Sequence, residues 1–159
     1  MRAELVTLQS RTGQAALVYR AHLIGTPMRI LVDRAYGAHR ESLLAEPHEA
    51  LRALEAAPLG ADAAGMAILA CLGPAIGAQD GIACTQEEGH ATSRSPLPGR
   101  SLIAAPLWCG SAIAGSVALL TADAQMKRAT TRARYITALM DAAAVMSGQL
   151  TRGSARRAS

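Results

Sequence analysis

The most apolar part of the chain spans residues 100–122 and is broken near its middle. Two segments, Ser101–Trp108 and Ser111–Leu120, are almost wholly apolar, and a Cys-Gly pair separates them. Two apolar runs joined by a short glycine-containing turn are typical of a β-hairpin. Because neither run alternates with polar residues, the hairpin is predicted to be covered on both faces. Proline cannot donate to a strand ladder, so Pro106 is predicted at an edge or a bulge.

Two segments have the apolar spacing of amphipathic helices. In Glu41–Ala57, leucines recur at helical intervals, and Pro47 is predicted to restart the helix in its first turn. Asp123 is predicted to cap a last helix that runs to about Leu150. The apolar face of that last helix consists of Ile136, Leu139, Met140, Ala143, Met146 and Leu150.

The shorter apolar runs are more ambiguous. Met28–Asp33 and Gly65–Leu72 are predicted to be strands, the second one buried. Ala3–Gln9 and Gln14–Ile24 either form a hairpin or place a helix in the second run, because short runs fit both periods. A long polar connection, Gly73–Gly99, follows and is rich in glycine and proline.

This order of elements predicts an α/β (α+β) domain with a mostly antiparallel central sheet, flanking helices and a long C-terminal helix. A short strand is predicted at Ile82–Thr85, inside the long connection. The length of 159 residues suits one domain, predicted to span residues 1–150. Thr151–Ser159 is polar and basic without an apolar anchor, and it is predicted to be a disordered tail.

Composition narrows the class of protein. The net charge is +4, and four basic residues are clustered in Lys127–Arg134. Only one aromatic residue, a tyrosine, lies beside this cluster. Single-stranded nucleic acid is held by aromatic residues interleaved with basic ones, so nucleic-acid binding is not expected. The apolar run at residues 100–122 is too broken to span a membrane. Three widely spaced cysteines and no signal sequence indicate a cytoplasmic protein.

Three features together resemble a GAF domain. They are the segment LGADAAGMAIL (Leu59–Leu69), the hairpin RSLIAAPLWCGSAIAGSVALLTA (Arg100–Ala122) and the amphipathic helix after it. The resemblance covers Pro47–Leu150 and leaves the first 45 residues unassigned. The chain departs from the family in its short connection before Arg100 and in the basic start of its last helix.

The resemblance implies a regulatory module that binds a small molecule, dimerises, or does both, in signalling or transcription control. In GAF domains the ligand sits between the sheet and the loops before the "APL" strand, which corresponds to Gly73–Arg100. We therefore expect Cys84, His90, Arg94 and Trp108 to bind the ligand, whose identity and any cofactor stay open. The resemblance also implies a homodimer through the Asp123–Leu150 helix. The four histidines show no metal-ligand spacing, so no metal site is expected.

Two alternatives stay open. One is a ligand-free protein-interaction module of the roadblock or profilin type, which small residues on the hairpin would permit. The other is a thiol enzyme, because Cys84 and His90 lie six residues apart and a thiolate beside histidine is a nucleophile. The phrase DGIAC (Asp80–Cys84) resembles one in free methionine-(R)-sulfoxide reductases, although its spacing and partner motifs differ. Enzymatic activity is therefore uncertain, and a non-enzymatic module is favoured.

Overall fold

The structure, a computed structural model, describes residues 1–72, 83–85 and 89–158, with residues 83–85 and 158 described by their backbone. Within this part of the chain, seven strands form one antiparallel sheet in the order β3-β2-β1-β7-β6-β5-β4. The strands are β1 (Ala15–His22), β2 (Met28–Ala35), β3 (Ala56–Pro58), β4 (Ala83–Thr85), β5 (His90–Arg94), β6 (Arg100–Cys109) and β7 (Ala112–Ala122).

Helices cover both faces of the sheet. A first group, α2, α3 and α4, packs on one face, and α1 and α6 pack on the other. This arrangement confirms the predicted α+β architecture with a long C-terminal helix. The helices are α1 (Arg2–Thr12), α2 (Arg40–Leu44), α3 (His48–Glu55), α4 (Ala63–Leu69), α5 (Asp123–Met126) and α6 (Ala129–Ala158), with a 3₁₀ turn at Gly37–His39.

The predicted hairpin is present as β6 and β7. Its strands pair from Arg100 opposite Ala122 to Cys109 opposite Ala112, with a bulge at Leu107/Trp108. Neighbouring residues of each strand face the hydrophobic clusters on opposite sides of the sheet. Both faces of the hairpin are apolar because both are buried. The pairing of β6 with β5 ends at Ala104, and Pro106 therefore lies beyond it, where its missing N–H does not interrupt that ladder.

The prediction of a strand at Gly65–Leu72 is wrong, because this segment contains α4. All seven residues of α4 are buried, and a short run that is apolar on every side fits either period. Asp62 caps the helix, since its carboxylate accepts a hydrogen bond from the Gly65 N–H at 3.3 Å. A Cβ at Gly65 would lie 2.2 Å from the Leu59 carbonyl oxygen, so only glycine allows this close packing.

Both ends of the chain also differ from the prediction. Ala3–Gln9 lies in α1, while the strand alternative for Gln14–Ile24 is correct. The last helix is split, because α5 ends at Met126 and α6 begins at Ala129. Thr151–Ser159 was expected to be disordered, yet α6 continues to Ala158. The Thr151 hydroxyl accepts a hydrogen bond from the Gly110 N–H at 2.8 Å, which holds the start of this segment against the hairpin.

A buried ion pair joins β2 to the start of α4. The Arg29 and Asp62 side chains are 0% and 2% exposed, and the guanidinium contacts both carboxylate oxygens. Arg29 also donates to the Leu54 carbonyl at 2.9 Å and lies over the Tyr19 ring at 4.5 Å. Isolated buried charges are very costly, so this pair specifies how α3, α4 and β2 meet. The sequence analysis missed it, because its partners are 33 residues apart.

The basic cluster lies at the break before the last helix. Lys127 and Arg128 are in the break, and Arg132 donates to the Met126 carbonyl at 3.0 Å. Arg134 lies over the ring of Tyr135 at 5.5 Å. These cations therefore contact their own chain and solvent. In the described residues, no helix combines the length and apolar character needed to cross a membrane.

Candidate ligand cavity

A cavity of about 460 Å³ opens at the edge of the sheet, beside the end of β6. It lies between α4, from one face of the sheet, and α6, from the other. Sites for small molecules are commonly concave, apolar and of about 300–1,000 Å³. The lining consists of Ala67, Ala70, Cys71, Gly89, His90, Ala105, Pro106, Trp108, Met140, Ala143, Ala144 and Ser147.

Helical spacing explains how the two helices form walls. Met140, Ala143 and Ser147 are three and four residues apart, so they share one side of α6. Ala67, Ala70 and Cys71 share one side of α4 and its C-terminal turn in the same way. Because most of these side chains are small, the two helices leave a space between them.

The end of β6 is tied to α6 by hydrogen bonds. The Trp108 N–H donates to the Ser147 hydroxyl at 3.0 Å, and the Cys109 thiol donates to the Leu150 carbonyl at 3.5 Å. The first of these bonds pairs a backbone N–H at the bulge, where the ladder is irregular. Trp108 and Ser147 both line the cavity, so the cavity wall includes the junction between the hairpin and the last helix.

The structure brings two of the four predicted site residues together. His90 and Trp108 both line the cavity, as half-buried side chains. Arg94 lies at the opposite end of β5, is exposed, and pairs across from Ser101, away from the lining. Cys84 is in β4, where its backbone pairs with Ala91 of β5. Its side chain is outside the described part of the structure.

The sequence analysis missed the contribution of the two helices. Met140 and Ala143 were assigned to the apolar face of the last helix, and Ser147 was not singled out. The sequence feature that indicates a contribution from this helix is Ser147, a polar residue that interrupts the apolar face near Met146 and Leu150. Cys71 is half-buried on the cavity wall, where its thiol donates to the Ala67 carbonyl at 3.3 Å.

The described residues contain no group of three or more His, Cys, Asp or Glu side chains placed to hold a metal ion. Cys109 is a free cysteine. The chemistry of the lining is thus that of a binding site: an apolar surface with an imidazole and a hydroxyl.

No protein-family model matches the sequence, and no curated protein matches it either. Solved structures do match in fold. The C-terminal domain of a protein assigned as a transcriptional regulator from Vibrio cholerae is 22% identical, with a TM-score of 0.64, over 89% of this chain and 91% of that one. The C-terminal domain of the Escherichia coli transcriptional regulator KdgR is 15% identical, with a TM-score of 0.64, over 94% and 95% of the two chains.

The same fold also forms part of a longer protein. An IclR transcriptional regulator from Alicyclobacillus acidocaldarius is 17% identical, with a TM-score of 0.67, over 94% of this chain and 66% of that chain. This chain therefore spans about two-thirds of the length of that regulator. The likeness establishes the fold, which is a GAF-like α+β domain of the kind found in these regulators.

Proposed function

We propose that this chain is a regulatory module that binds a small molecule in the cavity between α4, β6 and α6, and that it acts in transcription control. The observation that carries the proposal is the cavity itself, whose volume and apolar lining suit a small ligand. The likeness in fold to the C-terminal domains of transcriptional regulators supports the regulatory role. A cytoplasmic location is part of the proposal, and three widely spaced cysteines in the sequence support it.

A ligand in this cavity would act through α6. It would contact Trp108 on the hairpin and Met140 or Ser147 on the helix, which belong to separate elements joined by the Trp108–Ser147 hydrogen bond. A ligand that fits one arrangement of these elements better than another shifts their populations. The position of α6 against the sheet is therefore the output that we propose.

The homodimer expected through the Asp123–Leu150 helix would use a different face from the apolar one named above. Leu139, Ala143 and Met146 are buried against the chain's own sheet. The exposed side of α6 includes Val145, which is 47% exposed. We propose that any contact between two copies through α6 involves this side.

A cavity of this size favours ligand binding over a ligand-free interaction module. The reductase alternative depends on Cys84, and turnover of free methionine sulfoxide by the parent but not by Cys84→Ala would support it.

The proposed function is tested by native mass spectrometry of the purified protein and of Ala144→Phe, which places a ring at the exposed rim of the cavity. We expect extra mass on the parent and none on the variant. Equal extra mass on both would contradict the proposed site.

A further inference from the structure

The described lining of the cavity has no lysine or arginine to hold an anion. The sequence also has neither residue between Arg52 and Arg94, an interval that contains α4, β4 and the start of β5. On α6, the Arg152 guanidinium folds over Gly148, which is not part of the lining. An anionic ligand would therefore lose its hydration without gaining a charged partner.

The end of α4 makes the cavity still less suited to an anion. Ala70 and Cys71 form the C-terminal turn of this helix and line the cavity wall. Carbonyl groups at a helix C-terminus carry partial negative charge. A carboxylate or phosphate placed beside this turn would be repelled.

The lining offers an apolar surface with one well-placed donor. Trp108, Pro106 and Met140 provide flat or adaptable surfaces for a ring. The Ser147 oxygen accepts the Trp108 N–H, and among the described residues the Ser147 O–H donates no hydrogen bond. A serine hydroxyl both accepts and donates, so this hydrogen is available to a ligand acceptor.

We propose that the cavity selects an uncharged, largely apolar small molecule with a hydrogen-bond acceptor, and that it discriminates against anions. This inference rests on the proposed function, since it names the chemical class of the ligand for the same cavity. The molecule places a ring against Trp108 and Met140 and its acceptor toward Ser147. His90 is a second polar residue of the lining.

Two fluorescent dyes with one ring skeleton test the preference for an apolar, uncharged molecule over an anion. N-phenyl-1-naphthylamine is neutral, and 8-anilinonaphthalene-1-sulfonate adds a sulfonate to the same rings. We expect saturable binding of the neutral dye, at least roughly tenfold tighter than that of the sulfonate, since a tenfold ratio corresponds to only about 1.4 kcal/mol. The Ala144→Phe variant is expected to weaken binding of the neutral dye about tenfold or more. Ala133→Phe, at an exposed position of α6 outside the lining, is the matched control and is expected to bind as the parent does.

The outcomes separate this inference from the proposed function. If the sulfonate binds as tightly as the neutral dye, and Ala144→Phe weakens both, the cavity binds small molecules but the proposed ligand class is wrong. If Ala144→Phe changes the binding of neither dye, the cavity is not the binding site and both proposals fail. A gain-of-function variant gives an independent readout: Ala70→Arg adds the missing cation and is expected to tighten sulfonate binding relative to the parent. Unchanged or weaker sulfonate binding to Ala70→Arg would contradict the electrostatic argument.

Discussion

The backbone N–H of Trp108 donates a hydrogen bond to the Ser147 hydroxyl over 3.0 Å, and this bond joins the end of β6 to α6. The two residues are 39 positions apart in the chain and share one cavity wall. A molecule in the cavity would contact both elements at the point where they are joined. We propose this relationship as the physical basis for coupling between the cavity and the last helix.

Removing this acceptor is expected to loosen the junction. Ser147→Ala leaves the Trp108 N–H without its partner, and a lost hydrogen bond of this kind costs roughly 1 kcal/mol of the free energy of unfolding. We expect faster hydrogen exchange at the Trp108 amide than in the parent, measured by NMR. Thr137→Ala is the control, because the Thr137 hydroxyl donates only to the Ala133 carbonyl within α6. Equal exchange rates in the parent and Ser147→Ala would show that this bond does not hold the junction.

The buried ion pair is expected to dominate the stability of α4. Asp62→Ala removes the partner of Arg29 and the cap of α4, leaving a buried guanidinium without its carboxylate. Removing one partner of a buried pair costs about 3–5 kcal/mol. Asp141→Ala breaks the exposed pair with Arg11 and is expected to cost less than about 1 kcal/mol. Urea unfolding measures both, and similar losses for the two variants would contradict the structural role of the buried pair.

Because Tyr19 is buried, the free energy of unfolding is expected to fall at alkaline pH. Burial raises the pKa of the Tyr19 hydroxyl well above its ordinary value of about 10, outweighing the opposing effect of Arg29. The unfolded chain ionises at the lower pKa, so the stabilisation from this group is complete below pH of about 10 and is lost as pH rises further. The free energy of unfolding should therefore fall more steeply above that pH in the parent than in Tyr19→Phe. Parallel pH profiles would refute this assignment.

The extension of α6 beyond Leu150 is tested at Gly153. No atom lies within 4 Å of the position that a Cβ would take there, so alanine fits without a clash. Alanine favours a helix over glycine by up to about 1 kcal/mol per residue. Gly153→Ala is expected to move the Cα chemical shifts of Thr151–Arg157 further toward helical values. Random-coil shifts in both proteins would instead support the disordered tail that the sequence predicts.

The fold was predictable where the local pattern was unambiguous. The hairpin and the restart of the helix at Pro47 follow from turn residues and apolar runs that allow few alternatives. Gly65–Leu72 was assigned to the wrong element because a run that is apolar on all sides carries no period. Asp62 directly before α4 was the available signal for a helix, through its preference for the N-cap position.

Of the residues that line the cavity, the sequence singled out two on the strands as candidate ligand contacts and none on the helices. His90 and Trp108 belong to the sheet region that the GAF resemblance identifies, and both line the cavity. Arg94 belongs to the same predicted segment, Gly73–Arg100, yet the strand places it about 13 Å from His90, at roughly 3.3 Å per residue. Met140 and Ser147 reach the cavity only through the packing of α6 on β6, which no local pattern specifies.

The most direct test of the ligand cavity uses its tryptophan. The chain contains a single tryptophan, so the indole N–H of Trp108 gives one cross-peak that needs no sequential assignment. In a titration with N-phenyl-1-naphthylamine, we predict that this cross-peak shifts saturably in the parent and in Ala133→Phe, and stays in place in Ala144→Phe. An indole cross-peak that does not move in the parent, while other resonances report that the dye is bound, would contradict a binding site in this cavity.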